Sequence, residues 1–416
     1  MRDAAVADGT IIEIVGPNEA RLPQRRAMRS NALAASDILA EVVQQLADGA
    51  HLEVNALNFR KALEALAPAS LSAQISDLSC FARFCAADRR EALPATETTI
   101  VAYVEHLERS GLRPATVARR LSSIASVHAL VGVPSPTSAS VIKHAMKAFR
   151  RRAGVAQKQA AGLRFRGVGP QQGKALTLSA LLETCGGDCR GLRDAALLSL
   201  GYDAGLRVSE LIAVEVDHIE QDEDGSGVLF IPRAKTDQAG EGAYAWISAD
   251  TMRRIQQWLD MSGVREGPIF RRIAIERRAP VAARPPRMVW ELAPNAHVDR
   301  ARLSGSPALP ARVRFRIGNK GLTRQGVNLI YRQLARQAAN AGLVDLQGEE
   351  LEAAVAALST HSLRVGLTQD LFAAGEDAGP IAQALRWRSP VTALRYARKL
   401  APRANAAARF LKTLRS

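Results

Sequence analysis

A tyrosine, Tyr396, stands in a very basic part of the chain, the stretch ALRWRSPVTALRYARK that runs from Ala384 to Lys399. A tyrosine phenol has an ordinary pKa of about 10, so it becomes an effective nucleophile only where nearby cations stabilise the phenolate. The surrounding arginines are such cations. The structural alternative is that the ring packs in the core while the arginines are solvated, because buried aromatic side chains are common.

Three other short stretches carry residues that suit the chemistry of a phosphodiester. They are AGLRVSEL with Arg207 and Glu210, the turn RAKTDQAGEG with Lys235, and THSLRVG with His361 and Arg364. A guanidinium is planar and always charged, and its paired donors match two non-bridging phosphate oxygens. Arg207 and Arg364 could therefore clamp one phosphate and stabilise the negative charge that grows during attack.

Two further side chains of this set suit proton transfer. His361 lies one helical turn before Arg364, so the imidazole could hydrogen-bond the same phosphate or accept the proton of the nucleophile. Lys235, on a turn, could protonate a departing 5′ oxygen. Arg233, two residues earlier on the same turn, is an alternative donor.

These motifs, in this order, resemble those of the tyrosine recombinase (phage integrase) family, and most closely its Cre-like branch. The matching features are G-L-R-x-S-E-L, the lysine of the hairpin, H-x-x-R, and a tryptophan nine residues before the tyrosine. The resemblance extends from Asn58 to Ser416, apart from one basic segment. It implies that Arg207, Lys235, His361, Arg364 and Trp387 assist catalysis, that Tyr396 is the nucleophile, and that Glu210 supports the first arginine.

In isolation, each member of this set also has a structural alternative. Arg207 and Glu210 could form a plain salt bridge, His361 could sit at a helix end, Lys235 could be a solvated charge, and Trp387 could belong to the core. The ordered set, rather than any one residue, favours the functional interpretation.

Two features depart from the pattern of the family. Trp387 stands where many members have histidine, although an indole N–H can still donate to a phosphate. The segment Arg271–Lys320 is longer than the family pattern leads us to expect. Tyr244 and Tyr331 are alternative nucleophiles, but neither has the spacing of Tyr396 behind H-x-x-R.

The composition indicates a protein that binds nucleic acid. The 416 residues carry a net charge of +15 and give a pI near 10.3, an excess that favours contact with a phosphate backbone. A ribosomal or membrane-surface protein could share this charge. No apolar run approaches the roughly 20 residues of a membrane helix, and the start MRDAAVADGT has no apolar core of a signal peptide. We therefore expect a cytoplasmic, nucleoid-associated protein.

No metal site is expected. Cys185 and Cys189 flank a Gly-Gly-Asp turn, but no second pair of ligands lies nearby, so a zinc site is not indicated. We expect reduced, structural thiols, as is usual in the cytosol.

The pattern along the chain predicts two domains. Residues 1–50 are expected to be an N-terminal tail with a short helix over Ala35–Leu46, and residues 51–155 a helical, SAM-like core-binding domain. Residues 156–175 are rich in glycine and glutamine, which favours an interdomain linker. Residues 176–416 are expected to form the catalytic domain.

The catalytic domain is expected to combine helices with three short strands. The strands are VEVDHI, GVLFIP and AYAWIS, and the step Asp224-Gly225 between the first two predicts a hairpin. The expected fold class is mainly α with a small antiparallel sheet. The resemblance implies that both domains form a C-shaped clamp on DNA.

One segment of the catalytic domain, Arg271–Lys320, is predicted to be a basic insertion. It is rich in proline and holds twelve lysines and arginines against three acidic residues. We expect it to act as an electrostatic arm on DNA rather than as a packed part of the fold.

Two helix starts carry candidate DNA contacts. The first supplies Arg113, Thr116, Arg119 and Arg120, and the second supplies Arg324 and Gln325 after an N-cap at Thr323. Arginine and glutamine can recognise base edges in a major groove. The alternative for each is a nonspecific phosphate contact.

The last stretch, Asn405–Leu414, is predicted to be a helix with one apolar face. Ala406, Phe410, Leu411 and Leu414 share that face. The family resemblance implies that it docks on a neighbouring protomer, and the alternative is that it folds back on its own domain.

The function implied by the resemblance is site-specific DNA recombination. Tyr396 would form a 3′-phosphotyrosine bond and free a 5′-hydroxyl, with no cofactor, metal or ATP. The expected partners are double-stranded recombination sites, with a homotetramer on two duplexes passing through a Holliday junction. The alternatives are a type IB topoisomerase and a catalytically silent DNA-binding regulator.

Overall fold

The chain divides into two units in a computed structural model. The large unit comprises residues 1–24 and 159–416, and the helical unit comprises residues 25–158. The structure describes residues 5–7, 10–17, 35–47, 61–62, 65–66, 68–154, 159–167, 175–232, 241–286, 288, 304–396 and 406–415.

The helical unit contains five described α-helices. They are α1 (Ala35–Ala47), α2 (Pro68–Ala87), α3 (Glu97–Arg109), α4 (Pro114–Leu130) and α5 (Ser140–Ala153). The hydroxyl of Thr96 caps α3 by accepting from the N–H of Thr99 at 3.2 Å, and α4 starts at a proline, which tolerates a first-turn position. The helices share one apolar core that includes Leu39, Phe81 and Tyr103. Helix α1 therefore packs with this unit, although it falls in the predicted tail.

A buried histidine joins two parts of that unit. The ring of His128 accepts at Nε2 from the N–H of Ala95 at 3.0 Å, and its Nδ1–H donates to the carbonyl of Ile124 at 2.9 Å. Burial lowers the pKa of His128 from its ordinary value. Because both nitrogens are already committed to a neutral tautomer, protonation would break the bond from Ala95.

The large unit contains ten described α-helices. They are α6 (Leu178–Glu183), α7 (Cys189–Asp203), α8 (Val208–Leu211), α9 (Ala249–Ser262), α10 (Arg324–Asn340), α11 (Gly348–Ala357), α12 (Ser362–Ala373), α13 (Ala378–Ala384), α14 (Pro390–Tyr396) and α15 (Ala406–Arg415). Helix α7 is buried along most of its length. The mainly helical class predicted from the sequence is confirmed.

A small antiparallel sheet lies in this unit, as predicted. Its strands are β3 (Ile219–Gln221), β4 (Gly227–Ile231) and β5 (Ala243–Ile247), paired in that order. Gly225 adopts φ +84° in the predicted hairpin turn. The first strand begins later than predicted, because Val216–His218 forms a 3-10 turn and the strand starts only after it.

A second sheet was not foreseen from the sequence. It orders β1 (Ala5–Ala7), β2 (Thr10–Val15), β7 (Arg312–Gly321) and β6 (Arg271–Arg278) side by side. Strand β2 is parallel to β7, with Ile12 opposite Val313 and Ile14 opposite Phe315. Residues 5–7 and 10–15 of the predicted N-terminal tail therefore form strands of this sheet.

The expectation that the basic segment is no packed part of the fold is also wrong at both its ends. Phe315 and Ile317 of β7 are buried in the core of the large unit. The intervening arginines alternate with them, and they are paired: Glu13 binds Arg312 and Arg314, and Glu276 lies 3.0 Å from Arg316. Apolar and basic residues thus occupy opposite faces, as strand geometry requires.

Beyond these strands the segment continues as an exposed hairpin stem. Isolated bridges join Val281 to Leu309 and Arg284 to Ser306, and residues 279–286 and 304–310 are exposed. The part of the segment that lies outside β6 and β7, residues 279–311, is therefore shorter than the predicted insertion.

Residues 159–167 of the predicted linker pack on the large unit. The N–H of Leu163 donates to the carbonyl of Ser362 at 2.8 Å, and Leu163 is fully buried. The guanidinium of Arg164 contacts Asp370 at 2.5 Å, and Tyr202 donates to the same carboxylate. This part of the segment is therefore anchored to α7 and α12.

The large unit holds two free thiols, and the described helices lack the combined length and hydropathy of a membrane span. Cys185 and Cys189 are free thiols, and burial raises the pKa of each to about 12, so both stay protonated. Among the helices in the described ranges, none has both the length and the apolar character needed to cross a bilayer.

Candidate active site

Glu210 is the centre of the candidate site. It lies in the short helix α8 with a side chain that is 2% exposed. Its carboxylate accepts from the backbone N–H of Arg207 at 2.9 Å and from the guanidinium of Arg207 at 2.7 Å. Because the same carboxylate accepts from the backbone N–H and from the guanidinium, it fixes both the backbone and the side chain of Arg207.

Arg364 reaches this carboxylate from α12. Its Nη1 lies 4.0 Å from Glu210 and donates to the carbonyl of Gly205 at 2.6 Å, while Nη2 donates to the carbonyl of Leu385. The side chain is 3% exposed. Burial, together with the charges of Arg207 and Arg386, lowers the pKa of Arg364 to about 9, so the guanidinium remains charged at neutral pH.

A third arginine of the cluster, Arg386, was missed by sequence reasoning. Its Nη2 lies 3.6 Å from Glu210 and donates to the carbonyl of Ala204 at 2.9 Å, and its side chain is 9% exposed. The only sequence signal was its place beside Trp387, in a stretch where every arginine looks alike.

Tyr396 and Trp387 lie together next to these arginines. Their rings stack with centroids 5.2 Å apart and planes inclined by 5°. The guanidinium carbon of Arg364 is 5.0 Å from the centroid of the Trp387 ring. Tyr396 is the last residue of α14 and is partly exposed, so a substrate could reach its hydroxyl.

The other four tyrosines occupy different environments. Tyr331 is fully buried, and burial raises its pKa well above the usual range. Tyr202 donates to Asp370, and Tyr103 lies in the core of the helical unit. Tyr244 is exposed on β5, where its ring contacts Phe230. Neither rival nucleophile of the sequence analysis lies in the arginine cluster.

His361 stands at the start of α12, before the buried turn that carries Arg364. Partial removal of the ring from water, together with the charges of Arg364 and Arg207, lowers the pKa of His361 below its ordinary value of 6.5. The imidazole is therefore neutral at physiological pH and able to accept a proton.

Two of the predicted residues lie outside the described part of the chain. Lys235 and its rival Arg233 belong to residues 233–240, between β4 and β5, which the structure does not describe. The proposed proton donor therefore has no position here.

The candidate DNA contacts on α4 differ among themselves. Arg113 is the N-cap residue and is exposed, Thr116 is partly exposed, and Arg119 is exposed but bound to Asp77 at 2.5 Å. Arg120 is turned inwards, 3.7 Å from the buried Asp77, with its side chain 17% exposed. A direct DNA contact by Arg120 stays a prediction, since its side chain is only partly buried.

The second group of candidate contacts starts α10. Thr323 caps the helix as predicted, accepting from the N–H of Gly326 at 3.1 Å. Arg324 and Gln325 follow in the first turn, and both are exposed. The charge of Arg324 also contributes to the lowered pKa of His361, so this helix start lies near the arginine cluster.

The arrangement suits the binding of a negatively charged group that offers two acceptor oxygens. Three guanidiniums surround one buried carboxylate among the described residues, which leaves an excess of positive charge near Tyr396. Fixed charge in a partly dehydrated site stabilises an anionic transition state without reorganisation.

Tyrosine recombinases typically combine a helical unit with a second unit of helices and sheets, as seen here in the large unit. A tyrosine beside an arginine cluster is also typical of them. A model of the phage integrase family matches residues 174–403. The chain belongs to this family, which confirms the resemblance found in the motifs.

Two curated proteins are similar in sequence. The recombinase Cre of Escherichia phage P1 is 25% identical over 338 residues, covering 80% of this chain and 84% of that protein. A XerD-homologous integrase/recombinase of Selenomonas ruminantium is 31% identical over 213 residues, covering 49% of this chain and 59% of that protein.

One solved structure supports the fold at lower identity. The integrase of the transposon Tn1549, in complex with transposon right-end DNA, superimposes with a TM-score of 0.51 at 11% identity. The match covers 90% of this chain and 98% of that one.

Proposed function

We propose that the protein is a site-specific DNA recombinase of the integrase or resolvase type, which cuts and rejoins DNA through a 3′-phosphotyrosine. The observation that carries the proposal is the stacking of Tyr396 on Trp387 beside the buried arginines around Glu210. Membership of the phage integrase family, and the recombinases among its relatives, support it.

In the proposed reaction, the hydroxyl of Tyr396 attacks a scissile phosphate. The bond from phosphorus to the tyrosine oxygen forms, and the bond to the 5′ oxygen breaks. Arg207 and Arg364 hold the non-bridging oxygens, and His361, neutral because of its lowered pKa, hydrogen-bonds the phosphate or accepts the phenolic proton.

The leaving 5′ oxygen needs a proton, which we assign to Lys235. A 5′-hydroxyl of the partner duplex then attacks the phosphotyrosine and restores the phenol. One phosphoester replaces another in each step, so the exchange requires no ATP, and we assign no metal or cofactor to it.

The proposed partners are double-stranded recombination sites and further copies of this chain. The proposed DNA contacts are Arg324 and Gln325 on α10, and Arg113, Thr116, Arg119 and Arg120 at the start of α4. Both units would bind the same duplex. A homotetramer on two duplexes, working through a Holliday junction, follows from the strand exchange. Association with the nucleoid follows from the substrate.

The domain assignment is part of this proposal. The helical unit would serve as the core-binding domain and the large unit as the catalytic domain. The boundary near residue 158 that separates the two units supports this division.

The decisive experiment measures covalent adducts on nicked suicide substrates with Tyr396→Phe. The variant should bind DNA like the wild type and form no adduct, because only the nucleophilic oxygen is removed. Tyr244→Phe, which alters an exposed tyrosine on β5, should cleave normally and is the control.

The behaviour of the wild type also distinguishes the proposed recombinase from the two alternatives. A silent regulator would form no adduct in the wild type either. A type IB topoisomerase would form the adduct but relax supercoils without joining two duplexes. An adduct that survives Tyr396→Phe would place the nucleophile elsewhere.

A further inference from the structure

Arg386 occupies a backbone position that normally requires glycine. Helix α13 ends in two bonds of a Schellman motif: the N–H of Arg386 donates to Gln383 at 3.0 Å, and that of Trp387 to Ala382 at 2.8 Å. The residue after the cap in this motif adopts a left-handed conformation, which a Cβ disfavours. Arg386 has φ +54°.

The same motif recurs elsewhere in the chain, usually with glycine. Residues 111, 132, 205, 342 and 375 end helices with the matching pair of bonds, and all five are glycines with positive φ. Among the described residues, Arg89 is the other exception, with φ +51° and an exposed side chain. Arg386 therefore differs from Arg89 in that its side chain is buried.

The guanidinium of Arg386 connects separate segments of the site. It donates to the carbonyl of Ala204 at 2.9 Å, approaches that of Gly205 at 3.5 Å, and lies 3.6 Å from Glu210. Arg364 donates to the carbonyls of Gly205 and Leu385. The two arginines thus tie the turn at 204–205 to the turn that presents Trp387.

The charge of Arg386 adds to that cluster. Glu210 is the only acidic group within ion-pair distance of its guanidinium among the described residues, and it already binds Arg207 and approaches Arg364. The buried Nε–H of Arg386 has no acceptor among the described residues. The cluster therefore keeps positive charge that the fold itself does not neutralise.

We propose that Arg386 is a positioning residue of the strand-transfer site, which fixes the turn carrying Trp387 against Glu210 and so sets the positions of Arg364 and Tyr396. The inference rests on the proposed recombinase function. It predicts that loss of the guanidinium slows cleavage without a matching loss of DNA affinity, because the reacting groups are misplaced while phosphate contacts elsewhere persist.

The test uses the full-length protein with Arg386→Gly and Arg386→Lys. Glycine suits the left-handed backbone, so the first variant removes the guanidinium without adding backbone strain. The lysine variant keeps a charge near Glu210 but loses the forked donors. Arg89→Gly makes the same change in the same motif, at an exposed side chain, and is the matched control.

The measurements are the single-turnover rate of adduct formation at saturating protein, the DNA affinity and the Tm. We expect Arg386→Gly to cleave on the order of 10- to 100-fold more slowly, with affinity within about threefold, and Arg386→Lys to recover part of the rate. Arg89→Gly should cleave like the wild type. The slow rate should persist well below the Tm of the variant.

Two results would overturn the proposal. One is an Arg386→Gly rate equal to that of Arg89→Gly. The other is a lysine variant as slow as the glycine variant, with both rates returning to normal at temperatures where the proteins are fully folded, which would show a role in stability alone.

A second measurement separates failure of this inference from failure of the proposed function. If the wild type forms no adduct, the function fails, but the cluster can still be probed with inorganic phosphate. The Tm of the wild type and of Arg89→Gly should rise more with phosphate than that of Arg386→Gly. Equal shifts in all three proteins would overturn the positioning role.

Discussion

Trp387 contacts both Tyr396 and Arg364. Its ring is stacked on that of Tyr396 with a centroid distance of 5.2 Å, and the guanidinium carbon of Arg364 lies 5.0 Å from its centroid. The indole therefore connects the proposed nucleophile to an arginine that would hold the phosphate. A histidine at this position could donate a hydrogen bond, but it would offer less surface for stacking.

Replacement of this ring should slow cleavage. Stacking and cation–π contacts each contribute about 1 kcal/mol, so Trp387→Ala should lower the single-turnover rate about tenfold or more, and Trp387→Phe should lose less. Trp246→Ala, at an exposed tryptophan of β5, should have no effect. An unchanged rate in Trp387→Ala would mean that the stack does not position Tyr396.

Loss of either phosphate-binding arginine should affect rate far more than affinity. Arg207→Ala and Arg364→Ala should each slow adduct formation by about 100-fold or more, because the arginine is proposed to interact most strongly with the charge of the transition state. DNA affinity should fall only a few-fold. Equal losses in rate and affinity would make both residues ordinary phosphate contacts.

The two arginine variants should differ in stability. Arg364 donates to the carbonyls of Gly205 and Leu385, and leaving buried partners unsatisfied costs about 1–3 kcal/mol each. Thermal unfolding should therefore show a lower Tm for Arg364→Ala than for Arg207→Ala. Cleavage is best compared below both transitions.

The pH dependence of cleavage should reflect His361. Its folded-state pKa lies below the ordinary 6.5, so the ring is mostly neutral at pH 6.5 and the midpoint of its titration lies at a lower pH. The single-turnover rate should be insensitive to this group above pH 6.5 and should decrease below it. His361→Gln should remove that decrease, and a decrease centred above pH 6.5 would contradict the assignment.

The same lowered pKa has a consequence for stability. The unfolded chain binds a proton at His361 more readily than the folded chain does, so stability is lost as the pH falls from 6.5 through the folded-state pKa. His128, whose pKa is also lowered by burial, acts in the same direction in the helical unit. Urea unfolding at pH 7 and at lower pH measures both effects.

Removal of residues 279–311, between β6 and β7, should leave the fold and the cleavage rate intact. A short turn in place of residues 279–311 removes four basic and two acidic residues, while β6 and β7 stay paired. If the four basic residues contact phosphates, the slope of log K against log salt should decrease by no more than about four units. An unchanged slope would rule out a role for residues 279–311 in DNA binding.

A variant in strand β6 provides the comparison for this deletion. Arg277 and Arg278 are exposed at the end of β6, within the packed part of the segment. If Arg277→Ala with Arg278→Ala reduces the slope more than the deletion does, the charge that matters lies on the sheet.

Truncation after Pro402 should separate DNA binding from assembly. In α15, Phe410 is 64% exposed, Leu411 42% and Leu414 66%, so the described part of the chain leaves much of this apolar surface uncovered. We expect the truncated protein to bind a single site normally and to lose synapsis and recombination. Gel-shift and recombination assays measure the two properties.

A finer variant tests the apolar face alone. Phe410→Ser with Leu414→Ser should reproduce the truncation, whereas Arg415→Ala should not. A truncated protein that still forms two-duplex complexes and recombines at the normal rate would disprove the docking role of α15.

The motifs predicted most of the site because each lies in a local, ordered element. The spacing of His361 and Arg364 placed both at the start of one helix, and Arg207 and Glu210 were expected to pair, as they do at 2.7 Å. Arg386 could not be found in this way. Its role depends on a left-handed turn that brings it to a carboxylate far away in the sequence.

The second sheet was missed although its signals are present. The run TIIEIV in β2 is rich in β-branched residues, and valine, phenylalanine and isoleucine alternate with arginine along β7. High proline content nearby and strong charge obscured this alternation. The pairing of β2 with β7 joins residues about three hundred positions apart, which no local pattern specifies.

The place of β2 in the chain has a practical consequence for dissecting the protein. It belongs to the large unit but precedes the helical unit in sequence. A fragment that begins at residue 159 would therefore lack β2 and expose one edge of β7, a ten-residue strand. Free strand edges recruit other chains, so such a fragment should aggregate unless residues 5–15 are fused back in front of it.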